Sequence, residues 1–143
     1  MKIVVGLDGH ETGDKALEHA KGLARAMDGC SLVPVYVIEW SPFTFQTPEE
    51  NEMRHKRRQE EIAAARDRIV DPVVEALKKD GFTAEGLVHH GDVADTLHRI
   101  ALEQGADLIV VGRTSKGGFS QRLFGSSSVN LAMHSTLPVT VVG

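Results

Sequence analysis

The sequence predicts a single α/β domain spanning residues 1–143, with an open twisted sheet of five parallel strands and helices on both faces. Three observations carry this reading. Strand-like apolar runs and segments of helical period alternate from one end of the chain to the other. The runs at Lys2–Leu7 (KIVVGL), Ser31–Ile38 (SLVPVYVI) and Leu108–Val111 are apolar almost throughout, as parallel strands covered on both faces must be. A chain of 143 residues that is 41% hydrophobic and 25% charged describes one domain with room for a sizeable core.

The elements follow in order. Lys2–Leu7 is the first strand, and Asp8-Gly9 ends it. From Thr12 to Asp28, Ala16, Leu17, Ala20, Leu23, Ala24 and Met27 recur at helical spacing, and Gly29 supplies the stop. Ser31–Ile38 is the second strand; Pro34 cannot donate to a ladder, so an irregularity is expected there. Trp40–Pro48 carries two prolines and no period, and reads as a loop with exposed aromatics. Glu49–Lys79 is a long helical stretch with a stripe of Ile62, Ile69, Val73 and Leu77. Its Asp71-Pro72 pair looks like a cap followed by a first-turn proline, which predicts a kink or restart. Leu87–His89 is the core of a third strand, and Asp92 opens a helix through Gln104. The fourth strand, a loop, a fourth helix to about Ser135 and a last strand at Val139–Val142 complete the chain.

Composition excludes several functions. No apolar run approaches the ~20 residues that cross a bilayer, and the N-terminus enters a strand with no signal-peptide pattern, so a cytoplasmic protein with no membrane partner is expected. The lone Cys30 has no internal disulfide partner and reads as a small buried hydrophobe. A formal charge of −4 gives the surface no general attraction for nucleic acid, and none is expected as a partner.

The chemistry concentrates in Ala106–Val129 (ADLIVVGRTSKGGFSQRLFGSSSV). A buried strand closes at Gly112, a glycine- and serine-rich loop follows, and Ser126, Ser127 and Ser128 are suited to cap the next helix. Strand, loop and capped helix start form an anion site, because unpaired N–H groups and the positive end of the helix dipole converge there. Arg113, Lys116 and Arg122 add positive charge. The loop also exceeds the 2–6 residues usual for such a connection, which favours a ligand over a plain turn. In a strand order 3-2-1-4-5 the first and fourth strands are neighbours at the switch point, and Asp8 faces the same crevice as the Gly112 loop.

On these residues the chain resembles the universal stress protein family over nearly its whole length. The matching features are Asp8-Gly9, Val35-Tyr36-Val37, Val88 to Gly91 and Asp107 to Gly112. Nucleotide-binding members carry glycine, two residues, glycine, nine residues, glycine, then serine or threonine. Gly112, Ser115, Gly125 and Ser126 keep that spacing, with Ser115 in place of the middle glycine. The resemblance implies a Rossmann-like fold of the HUP type, a stress-response role and binding of ATP, ADP or AMP, with Mg2+ or Mn2+ accompanying a triphosphate. It places Asp8 on the ribose, the backbone near Val37 on the adenine, and Gly112 on the ribose and phosphates, with Arg113 beside it. Gly125, Ser126 and Ser127 would hold the phosphates. Ser115 costs roughly 1 kcal/mol if the position needs a left-handed backbone, while its hydroxyl can donate to a phosphate oxygen; binding is expected to survive with an altered preference among the three nucleotides. His10 stands where the family often has serine.

Other chemistries find no support in the motifs. There is no GxxxxGK[ST] loop and no GxGxxG after the first strand. The last strand lacks the lysine a receiver domain requires, and no nucleophile, base and orienting acid can be assembled. His89 and His90 point to opposite faces of a strand, and no metal site built of protein residues is expected. Enzyme activity is not expected beyond slow nucleotide hydrolysis; the alternative is a dimeric interaction module that binds no nucleotide. The apolar strand Val139–Val142 lies at the sheet edge in the proposed order and is expected to pair with a second copy, while an unidentified protein partner would read the nucleotide state.

Overall fold

The computed structural model describes residues 1–9, 11–39, 47–113 and 128–143, with the side chains of Glu11 and Thr12 left aside. The strands are β1 (Lys2–Leu7), β2 (Ser31–Glu39), β3 (Thr83–Ala84), β4 (Leu87–Gly91), β5 (Leu108–Gly112) and β6 (Val139–Val142). The helices are α1 (Glu11–Arg25), α2 (Pro48–Ala65), α3 (Asp71–Lys79), α4 (Val93–Glu103) and α5 (128–134), with a π-helical turn at Arg66–Val70 between α2 and α3. Every strand pairing is parallel, and the order is β3-β2-β1-β5-β6 with β4 also on β2. This is the expected 3-2-1-4-5 order with its third strand in two pieces, so the sheet has six strands and not five.

Side-chain alternation explains why the strands are apolar on both faces. Ile3, Val5 and Leu7 pack with Ala16, Ala20 and Leu77 under α1 and α3. Val4 and Ile109 pack on the opposite face with Leu97, Ile100 and Leu131 under α4 and α5. Two cores therefore share one sheet, and a polar residue inside β1 would face one of them whichever way it pointed.

The proline irregularity lies in the neighbour of β2, not in β2 itself. Val5 pairs with Pro34 in an unbroken register from Lys2↔Ser31 to Leu7↔Tyr36. On the other side Glu85 donates its N–H to Leu32 O at 3.2 Å, so alternate residues Leu32, Pro34 and Tyr36 turn their backbone groups that way. The donor that Pro34 lacks would thus face the gap between β3 and β4, and without it the ladder loses a rung there.

The break at Asp71-Pro72 falls where it is expected, since α3 begins at Asp71 with Pro72 in its first turn, but it is made by widening the turn before it and not by an Asp71 cap. Asp71 is inside the helix at φ −59°, ψ −43°, caps nothing, and donates its N–H five residues back to Arg66 O. Pro72 has no N–H for the carbonyl four residues before it, and the chain answers by widening one turn. The widened turn is anchored to the sheet: Arg66 Nη1 donates to Gly86 O at 3.2 Å, and Val70 is fully buried. Pro48 belongs to α2 and not to the preceding loop, since Thr47 caps that helix in a reciprocal pair with Glu50. Helix α1 ends at Arg25, three residues before the expected stop. The loop expected at Trp40–Pro48 otherwise falls outside the described residues, as does the start of the fourth helix. Cys30 is half-buried, and burial pushes its thiol up from its ordinary pKa.

Two glycines make contrasting predictions. A Cβ on Gly86 would sit 2.2 Å from Val70 Cγ1 and 2.9 Å from Val74 Cγ2, so Gly86→Ala forces the π turn off the sheet and should cost about 1–3 kcal/mol. A Cβ on Gly22, within α1, meets nothing within 4 Å. Gly22→Ala should stabilise by roughly 0.5–1 kcal/mol, and denaturant unfolding of both variants reads the difference.

Candidate functional site

Parallel pairing puts the carboxyl ends of β1, β2 and β5 side by side. Leu7 pairs with Tyr36, and Val5 with Val110, so continuing the two registers sets Asp8 beside Val37 and Leu7 beside Gly112. Since β1 is hydrogen-bonded to β2 on one side and β5 on the other, this is the point at which the chain reverses its direction across the sheet.

Asp8 is held by the first turn of α1. Its Oδ1 accepts the Gly13 N–H at 3.0 Å. The approach requires glycine, because a Cβ on Gly13 would lie 2.5 Å from that same oxygen and 2.8 Å from Asp8 N. Val37 is buried, with its side chain in the core under α4. Odd-numbered residues of β2 direct their backbone groups toward β1, and that ladder ends at Leu7↔Tyr36, so the Val37 carbonyl lies just past the last rung.

Gly112 closes β5 opposite Val142. Its carbonyl accepts the Ser128 hydroxyl at 2.5 Å, and Ser128 is 3% exposed. This side chain therefore ties the first described residue of α5 to the last residue of β5 and fixes both ends of the segment between them. Arg113 donates its N–H to Val142 O at 2.7 Å, and a Cβ on Gly143 would meet its guanidinium at 2.8 Å. Its charge is thus placed on the β6 side of the β5 end. Ser115, Gly125, Ser126 and Ser127 lie outside the described residues. Of the expected site, Asp8, Val37 and Gly112 share one edge.

The structure adds features that the sequence reading did not single out. A cleft of about 240 Å³ opens beside Asp8, lined by Leu7, Gly9, Gly13, Ile69 and Pro72, and also by Asp14 and Arg68. Burial pushes the Tyr36 phenol above its ordinary pKa, and the Asp8 and Glu39 carboxylates push the same way. Desolvation at the end of β2, together with the charge of Asp92, raises Glu39 above the ordinary carboxylate range. Asp8, Glu39 and Asp92 thus make the ends of β1, β2 and β4 a negative stretch. Such an edge favours neutral groups that carry donors, and an anion is better received at the Gly112 end. A second cleft of about 320 Å³ lies between α4 and α5, lined by Asp92, Asp95, His98 and His134. There Thr136 donates its N–H to His98 Nε2 at 3.3 Å, and its hydroxyl lies 3.1 Å from the same nitrogen. Among the described residues no group of three histidine, cysteine or acidic side chains could hold a metal ion, and no helix is long and apolar enough to cross a membrane.

The electrostatics of this edge are open to test. Because folding raises the Glu39 pKa, the ionised side chain costs stability above the carboxylate range and costs nothing once it is protonated in both states. Glu39→Gln should therefore be more stable than the parent at pH 7, with the gain vanishing as pH falls through the carboxylate range. Urea unfolding at a series of pH values measures it; a gain that persists undiminished at pH 3 would contradict the cause assigned here.

Comparison with known proteins gives the same picture. A sequence model of the Universal stress protein family matches residues 1–143. A universal stress protein of Methanocaldococcus jannaschii is 31% identical over 148 residues, covering 99% of this chain and 81% of its own. The structure of universal stress protein UspA from Lactobacillus plantarum superposes with a TM-score of 0.78 at 21% identity, covering 100% of this chain and 97% of that one. A universal stress protein from Archaeoglobus fulgidus in complex with dAMP gives 0.60 at 25% identity, covering 100% and 98%. Other matched structures of the family hold cAMP or AMP. The fold, the full-length match and the M. jannaschii relative together place this chain in the universal stress protein family.

Proposed function

We propose that the chain binds an adenine nucleotide, ATP, ADP or AMP, across the carboxyl edge of β1, β2 and β5 and serves as a nucleotide-dependent regulator or sensor in a stress response. One observation carries the reading. Of the four described residues assigned to the ligand, Asp8, Val37 and Gly112 come from segments far apart in sequence and meet at the switch point of the sheet, with Arg113 next along the chain. The relatives that hold AMP, cAMP and dAMP support the choice of ligand class.

The roles follow from chemistry. Asp8, oriented by the Gly13 N–H, accepts from ribose hydroxyls, and the Val37 backbone meets the adenine edge. Backbone N–H groups after Gly112, with Ser126 and Ser127 and the Ser115 hydroxyl, receive the phosphates, and Gly125 allows the close approach. A triphosphate brings Mg2+ or Mn2+ with it, since phosphate oxygens and the waters the ion retains supply most of its ligands. Signalling is a population shift: nucleotide favours one arrangement of the segment that Gly112 and Ser128 bracket, and a protein partner reads the surface that results. Regulation rather than turnover fits a described edge that offers no paired nucleophile and base, and the cytoplasm is the location proposed for this work.

The sheet edge suggests the assembly. β6 is paired on one side by β5, and Val141 is 38% exposed. An apolar edge of this kind favours a symmetric homodimer with two β6 strands side by side.

Two measurements decide these proposals. Calorimetric titration with AMP, ADP and ATP should give micromolar binding that Gly125→Leu abolishes while the thermal unfolding curve stays in place; retained affinity in that variant would remove the phosphate assignment. Light scattering at micromolar protein should return twice the 15.5 kDa chain mass, and a monomer mass would remove the dimer.

A further inference from the structure

We infer that the π turn Arg66–Val70 is the wall of the nucleotide site that receives the nucleoside, with Ile69 its contact and Pro72 the residue that holds it in position; this rests on the nucleotide binding proposed above. The argument starts from how the turn is pinned. Arg66 bonds the Gly86 carbonyl and Val70 is fully buried, so two members of the turn are fixed to the sheet at β3–β4. Arg68 and Ile69 lie between them and line the cleft beside Asp8. Ile69 comes to the backbone that follows Asp8, since a Cβ on Gly9 would sit 3.6 Å from Ile69 Cδ1. A five-residue turn carries side chains round the helix differently from an α-turn, and Pro72, with no N–H to close the α-helical bond, keeps the turn wide.

Size and charge define what the cleft accepts. Its volume of about 240 Å³ lies below the ~300 Å³ at which pockets begin to enclose whole drug-sized ligands, so it suits a nucleoside and not a complete nucleotide. Leu7, Ile69, Pro72 and Val73 supply apolar surface for the face of a planar ring. Asp8 and Asp14 outnumber Arg68, which leaves the cleft with an excess of negative charge that disfavours a phosphate. The group that fits is a neutral base with its sugar, offering N–H or O–H donors to Asp8. The phosphates then lie toward Gly112, outside this cleft.

The π turn is thereby assigned to reception of the nucleoside, and it works on the part of the ligand that carries no charge. Heteronuclear NMR titration of the whole protein with adenosine, AMP and ATP tests this, using the parent, Ile69→Trp, which fills the cleft, and Pro72→Ala, which restores the missing donor at an exposed position. Adenosine should move the amide resonances of Gly9, Ile69 and Val73 in the parent. Ile69→Trp and Pro72→Ala should each weaken AMP and ATP by about tenfold or more and by the same factor, because neither touches the phosphates. Pro72→Ala carries the test alone if Ile69→Trp does not fold. AMP binding to the parent without movement at Gly9, Ile69 and Val73, or with parent affinity in Pro72→Ala, would overturn the π-turn wall and leave nucleotide binding standing. Failure of the parent to bind AMP or ATP would overturn both.

Discussion

Everything at this site follows from the pairing of β1 with β5. Because β1 lies between β2 and β5 in parallel register, the chain leaves the sheet on one side to make β2 and returns on the other to make β5. Residues separated by about a hundred positions in sequence, Asp8 and Gly112, then end neighbouring strands. Parallel strands demand crossovers, crossovers demand helices on both faces, and helices on both faces demand strands that are apolar throughout. The site is the place where this scheme leaves backbone groups without a rung. Among the described residues it is made without backbone strain, since no non-glycine residue there has positive φ.

Much of this was legible because each strand advertises two buried faces. Lys2–Leu7 and Val139–Val142 stand where the sequence puts them, and Asp92 caps α4 as its position predicts. The division of the third strand was not legible, since it depends on which carbonyls of β2 face outward and on Pro34 lying opposite. Asp71-Pro72 announced a break without saying of what kind. A restarted helix and a widened turn begin from the same missing N–H, and what separates them here is the grip of Arg66 and Val70 on Gly86.

The candidate site shows where sequence informs and where only the fold does. Asp8 and Gly112 declare themselves as strand ends next to glycine, and the register brings them together. Gly13 and Tyr36 look ordinary in sequence; their importance comes from a 3.0 Å bond to the Asp8 carboxylate in one case and from burial beside it in the other. Arg113 was expected among the cations of the anion loop, but its N–H pairs with β6 and its guanidinium lies against Gly143. Position in sequence gave its neighbourhood without giving its direction.

Ser128 resembles its two preceding serines, all suited to cap a helix, yet in the fold it is buried and bonded to the carbonyl of Gly112. A clasp of this kind separates the length of the intervening segment from the geometry of the sheet. Closing a chain between fixed ends grows more costly only slowly with its length, by about 0.6 kcal/mol for each doubling. Insertions, deletions or whole grafts between Arg113 and Ser127 can therefore exchange one recognition surface for another while β5 and α5 keep their places. The fold offers a socket into which descendants of this domain could fit different loops.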